Sequence, residues 1–152
     1  MANAHSAALP VPDMKLELVP VPVADIDRAR AFYEQVGFRL EVDVQPAPGM
    51  RVVQFTPPGS ACTIVFGSGM SSISEMVPGS VQGLHLVVAD IGTARDALVR
   101  RGLEVGEVTD FGGVKYAGFN DPDGNGWLLQ EFPPELRRPG QSFAGPSEPA
   151  RE

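Results

Sequence analysis

The sequence predicts an α+β protein made of two tandem βαβββ modules, and three observations predict it. Extended apolar stretches alternate with one amphipathic helical stretch in the first half of the chain, the whole pattern recurs in the second half, and Pro-Gly and Asp-Gly signals punctuate both halves. A chain of 152 residues, 43% hydrophobic and 20% charged, has the composition of one globular domain.

Leu16 to Val23 is an extended apolar stretch. Its prolines, Pro20 and Pro22, lack an N–H donor, which places the strand at a sheet edge or a bulge. Asp25 has the side chain of an N-cap, and Ile26, Ala29, Phe32, Tyr33 and Val36 recur at helical spacing until Gly37 stops the helix. Phe38 to Val44, Arg51 to Thr56 and Cys62 to Phe66 predict three strands, the last two joined by Pro57-Pro58-Gly59.

The second half restates the first. Leu86-Val87-Val88-Ala89-Asp90-Ile91 matches Val21-Pro22-Val23-Ala24-Asp25-Ile26, Ala94-Arg95 matches Ala29-Arg30, and Gly102-Leu103 matches Gly37-Phe38, all at one offset of 65 residues. Phe55, Pro58 and Gly59 have counterparts in Phe119, Pro122 and Gly124, with one residue of slippage in the turn. The repeat predicts one domain at 14–132, with module one at about 14–67, a Gly- and Ser-rich linker at about 68–82 and module two at about 83–132. Residues 1–13 and 133–152 are rich in Pro and without periodicity, and are expected to be flexible tails.

Composition excludes several functions. A net charge of −7 and a pI near 4.8 leave no basic surface for phosphates, so neither nucleic acid nor an anionic membrane is an expected partner. A neutral or cationic small molecule, or a metal, fits that balance. The only cysteine, Cys62, rules out an internal disulfide and reads as a small buried residue. No window reaches the roughly 18 apolar residues of a membrane span, because Lys15 and Glu17 interrupt the best one. The N-terminus lacks the features of a signal peptide, so a cytoplasmic protein is expected. A Walker loop, a dinucleotide GxGxxG and an HExxH are all missing, which leaves nucleotide-cofactor chemistry without support.

Val23-Ala24-Asp25-Ile26, Ala31-Phe32-Tyr33, Val36-Gly37-Phe38, the turn Asp121-Pro122-Asp123-Gly124-Asn125-Gly126 and the strand end Leu129-Gln130-Glu131 follow one another in an order that resembles the vicinal oxygen chelate superfamily. That superfamily includes glyoxalase I, extradiol dioxygenases, fosfomycin-resistance enzymes and bleomycin-resistance binding proteins. The resemblance covers residues 14–132. It implies two modules whose curved mixed sheets, flanked by helices, face each other as a cup for a small organic ligand. It further implies a homodimer in which modules pair or exchange. The metal enzymes of the family take His, Gln or Glu from the first and last strand of each module. Spacing from Asp25 and Asp90 puts the first-strand positions at Leu18 and Gly83, and spacing from the turns puts the last-strand positions at Thr63 and Leu128. These are not the donors a divalent metal requires, so no metal and no other cofactor is expected.

His85 and Gln130 stand two residues beyond Gly83 and Leu128, which turns both to the same face of their strands. His85 is therefore the candidate general acid or base, or else a hydrogen-bonding group for a ligand. Tyr116 is preferred over Lys115 as a contact from the penultimate strand. Glu131 and Glu17 have the opposite parity and should point away from the cup. The Asp121 to Gly126 turn imitates the start of a calcium loop, but Phe132 stands where its bidentate Glu would be, and a tight turn explains the same residues. Trp127, Phe32 and Tyr33 read as core, and His5 as part of the tail.

Three readings follow. The first is a metal-free binding protein of the bleomycin-resistance type, with a cup of Leu18, Pro20, Thr63, Val65, His85, Tyr116, Leu128 and Gln130 around a largely apolar ligand. The second is a glyoxalase-like lyase or isomerase, either cofactor-free with His85 as acid or base or with displaced metal ligands. The third is a non-catalytic assembly subunit with a filled cup.

Overall fold

A computed structural model describes residues 9–143. The first module runs β1 (Leu18–Pro20), α1 (Ile26–Val36), β2 (Arg39–Ala47), β3 (Met50–Thr56) and β4 (Thr63–Ser68). The second runs β5 (Leu84–Val87), α2 (Ile91–Arg100), β6 (Thr109–Phe111), β7 (Val114–Asn120) and β8 (Gly126–Glu131). Each module forms one four-stranded mixed sheet, in the orders β1-β4-β3-β2 and β5-β8-β7-β6. The short edge strands β1 and β5 pair parallel to β4 and β8, and the other pairs are antiparallel.

Local chemistry sets the helix ends. The Asp25 carboxylate accepts the Arg28 N–H at 3.0 Å, and the Asp90 carboxylate accepts the Thr93 N–H at 3.0 Å, satisfying donors that the first helical turn leaves free. Gly37 closes α1 in the left-handed region at φ 106°, where its N–H reaches the Tyr33 and Glu34 carbonyls.

The repeat is exact only in its first half. Val19 pairs with Ile64 in the first module and Leu84 with Trp127 in the second, so β1 and β5 keep the offset of 65 while β4 and β8 are offset by 63. Phe55 and Phe119, in β3 and β7, fall between at 64. Two single-residue shortenings, one before β7 and one in the β7–β8 turn, account for the drift. The sequence-based pairing of Thr63 with Leu128 is thereby corrected: the counterpart of Leu128 is Val65, and the counterpart of His85 is Pro20. A shift of two residues preserves the face of the strand, so the predicted orientations survive.

One core serves both modules. The Tyr33 ring lies 6.1 Å from Phe55 on β3, 5.9 Å from Phe66 on β4 and 5.9 Å from Trp127 on β8. If β1 and β5 joined edge to edge, β3 and β8 would stand four strand spacings apart, roughly 19 Å. A ring within contact of both must lie between two stacked sheets. The helix-covered faces therefore turn inward, where Val21, Val53, Phe55, Phe66, Phe119, Trp127 and Leu129 are buried. The opposite faces turn outward.

The Asp121–Gly126 turn fastens the stack. Asp121 Oδ1 accepts the N–H groups of Asp123 and Asn125, while Oδ2 accepts the Tyr33 hydroxyl and Asn125 Nδ2, each at 2.8–2.9 Å. Trp127 Nε1 donates to the same Tyr33 oxygen at 3.0 Å. Asn125, fully buried, also donates to the Pro22 carbonyl and accepts the Val81 N–H. Asp123 accepts from the Ala24 N–H and the Arg28 guanidinium. The calcium-like spacing is thus a turn whose Asp121 and Asn125 side-chain groups bond within the protein. Gly79 docks beside it at φ +82°, where a Cβ would lie 2.1 Å from the Asp123 carbonyl oxygen.

Two stretches are more ordered than composition implied. The inter-module segment contains a 3₁₀ turn at Ser71–Glu75, and the segment after β8 makes 3₁₀ turns at Pro134–Leu136 and Pro139–Gln141. Gln141 is buried there, and its side chain caps the Arg138 N–H. His5 lies outside the described residues.

Candidate functional site

The predicted site residues all lie on the outward faces. On the first sheet, Leu18 and Pro20 of β1 stand directly beside Thr63 and Val65 of β4. Gln54 and Val52 continue the row on β3, and Val42 and Val44 on β2. Thr63 and Val65 are already buried at 8% and 2% exposure, whereas Val44 is 48% exposed.

On the second sheet, His85 pairs with Leu128, and Val87 with Gln130. Tyr116 pairs with Gln130 across β7 and β8, and Gln130 Nε2 donates to the Tyr116 hydroxyl at 3.1 Å. The His85 and Tyr116 rings meet edge to face at 6.0 Å, and Phe111 meets Tyr116 at 6.0 Å. Phe111, 68% exposed, belongs to this face and was missed in the sequence. The signal for it was the Gly112-Gly113 hairpin turn, which sets Phe111 opposite Val114 and so on the Tyr116 face.

His85 is exposed, and its Nδ1 sits 2.7 Å from the Gly83 carbonyl oxygen. A carbonyl only accepts, so Nδ1 carries the proton, and in the neutral ring Nε2 is left as a free acceptor. Glu131 turns inward as its parity required, with Oε1 accepting the Ile91 N–H at the start of α2 at 2.8 Å. Glu17 contributes only its carbonyl, which accepts the Thr63 N–H. Cys62 is half-buried, and that burial pushes its thiol pKa up.

The residues expected to form one cup are not gathered inside a single chain. Leu18, Pro20, Thr63 and Val65 share one outward face; His85, Tyr116, Leu128 and Gln130 share the other, on the far side of the stack. Two cavities open between the modules instead. One of about 1130 Å³ includes Gly83 and Leu128 and is lined from α1, α2, the Gly102–Gly106 loop, β7, β8 and the turn between them, with Arg95, Glu104 and Asp121 among its walls. The other, of about 530 Å³, includes His85 and lies against α2.

A divalent metal does not fit the positions the fold family uses. The positions expected from the resemblance carry Leu18, Gly83, Thr63 and Leu128, with Val65 in place of Thr63 in the register of the sheets, and among the described residues no three His, Cys, Asp or Glu side chains cluster to hold an ion. Among the same residues no helix is long and apolar enough to cross a membrane.

Residues 15–129 match the model of the Glyoxalase/Bleomycin resistance protein/Dioxygenase superfamily, and the chain belongs to that family. Among solved structures it is similar to TnmS3, an antibiotic binding protein from Streptomyces sp. CB03234, at 33% identity and a TM-score of 0.70, covering 81% of this chain and 99% of that one. A glyoxalase/bleomycin resistance protein from the same Streptomyces is 35% identical with a TM-score of 0.63, covering 76% and 98%. A superfamily member from Sphaerobacter thermophilus DSM 20745 is 30% identical with a TM-score of 0.67, covering 78% and 98%. No curated protein matches the chain.

Proposed function

We propose that this protein sequesters a small, largely uncharged organic molecule in the cytoplasm, in a cup completed by two copies of the chain. The pair of outward sheet faces carries this reading. Valines, Leu18, Pro20, Leu128 and Phe111 supply apolar walls, and Gln54, Thr63, His85, Tyr116 and Gln130 supply a few hydrogen-bonding groups, while charge enters these faces at one end, where Arg39 pairs with Thr56. That is the chemistry of a small-molecule pocket, and each face is a wall without an opposite wall. A homodimer that sets the first face of one copy against the second face of the other makes two cups. The description of TnmS3 as an antibiotic binding protein supports an antibiotic-like ligand.

The test is a thermal-shift screen of EDTA-dialysed protein against natural-product antibiotics, bleomycin among them, followed by titration calorimetry on any compound that stabilises it. Saturable binding without metal is expected, and Gln130→Ala should weaken it by about tenfold, the worth of one hydrogen bond to the ligand. Binding that appears only after metal is restored would count against the reading.

One observation favours a second reading. The Nδ1–H of His85 is held by Gly83, which leaves Nε2 free on the outward face as a base for proton transfer. His85→Ala separates the two: a binder loses affinity modestly, whereas a lyase or isomerase loses about 10²-fold or more in turnover.

A further inference from the structure

The internal repeat places two equivalent junctions between the modules, and only one is filled. At the first, the Asp121–Gly126 turn docks on β1 and α1 through Tyr33 and Trp127. At the second, the matching turn is Pro57–Ser60, whose Ser60 N–H to Pro57 carbonyl bond repeats the Gly124 to Asp121 bond. Leu98 now stands for Tyr33, Ile64 for Trp127, Pro57 for Asp121 and, by the turn hydrogen bonds rather than the sequence match of Gly59 to Gly124, Gly59 for Asp123. Two large aromatic groups and two carboxylates are thus replaced by short apolar or absent side chains. Among the described residues no side-chain hydrogen bond ties this turn to β5 or α2; Ser60 Oγ bonds only to the Cys62 backbone. The missing volume remains as the open groove of about 530 Å³, with Gly140, Ser142 and Phe143 as its outer wall.

We infer that this groove is a second ligand site, bordering the cup at His85 but otherwise built from other residues, for a neutral, mainly apolar molecule of one to three rings or comparable aliphatic size. Its walls are side chains such as Val36, Phe38, Leu86, Leu98 and Leu129; His85 at its border is its one titratable side chain, and no Asp, Glu, Lys or Arg lines it, in a chain where 20% of residues are charged. A charged ligand finds no counter-ion there, so its desolvation goes uncompensated. The volume falls in the range of small-molecule pockets, roughly 300–1,000 Å³. Phe143, in the segment after β8, is half exposed and forms a wall on an irregular stretch rather than on a strand.

The probe is N-phenyl-1-naphthylamine, neutral and fluorescent in apolar surroundings, titrated into the full chain. Ala97 is an exposed α2 residue at the groove, so Ala97→Phe fills the space without disturbing the core. Saturable binding is expected, weakened by about tenfold or more in Ala97→Phe and in Phe143→Ser, and unchanged in Gln130→Ala. Methyl NMR should show probe-induced shifts at Val36, Leu98 and Leu129. Equal affinity in the wild type and both groove variants, shifts confined to Leu18 and Leu128, or no saturable binding would each overturn the inference. Loss of antibiotic binding in Gln130→Ala with probe binding intact would separate the fate of the groove from that of the cup.

Discussion

Tyr33 shows how much rests on single polar atoms in this fold. Its hydroxyl donates to Asp121 and accepts from Trp127, and burial together with the Asp121 charge drives its pKa far above the ordinary phenol value, so it remains a neutral donor. Tyr33→Phe keeps the ring packing but orphans the Trp127 N–H and removes one partner of Asp121. Urea denaturation should show a loss of about 1–3 kcal/mol. The core role of Tyr33 and Trp127 was legible from helical spacing and strand alternation. Their shared hydrogen bond was not, because it joins residues 94 positions apart through a turn that sequence presents as a possible ion loop. His85 and Gln130 were legible as same-face residues because strand parity is local. Phe111 was not, because β6 is only three residues long and gives no periodicity.

Among elements, the two β-turns divide the labour unequally. Asn125→Ala removes bonds to Pro22, Val81 and Asp121 at once and leaves buried backbone groups without partners. The expected cost is about 2–4 kcal/mol, larger than for Tyr33→Phe, and chemical denaturation of both variants side by side checks the order. On the other sheet edge, Asp43 bridges Arg51 and Arg30, and Arg51 also binds Asp27. The hydrogen bonds from Arg51 hold the Asp43 carboxyl below the usual carboxylate range. A depressed carboxylate contributes stability above its unfolded pKa and loses it as pH falls through the folded value. Asp43→Asn should therefore be less stable than wild type at neutral pH, with the gap closing in acid. A pH series of thermal melts measures that convergence. The capped helices and most strands were legible because caps and alternation are short-range signals, whereas the mixed pairing of the sheets was implied only by the family resemblance. The drift in offset from 65 to 63 was not, since single-residue shortenings of loops leave no mark on the flanking patterns.

At the scale of the whole molecule, the back-to-back stacking of the sheets is what the proposed function rests on. Strand parity identifies which residues share a face but carries no information on whether two such faces meet within one chain or between two. The aromatic contacts of Tyr33 put the two faces on opposite sides of the chain, so the cup proposed above needs a second copy. Val44→Asp together with Phe111→Asp places charge on both outward faces at side chains that are exposed in the single chain. Sedimentation equilibrium should report a dimer for wild type and a monomer for this double variant, while far-UV circular dichroism stays the same.

Native mass spectrometry of EDTA-dialysed protein with an antibiotic identified in the thermal-shift screen tests the central claim most directly, because it reads stoichiometry and metal in one spectrum. The result predicted is a dimer carrying up to two ligands, a ligand-free monomer and no mass for a bound metal. Ligand retained on the monomer, or a complex seen only with metal attached, would contradict a metal-free cup built by two chains.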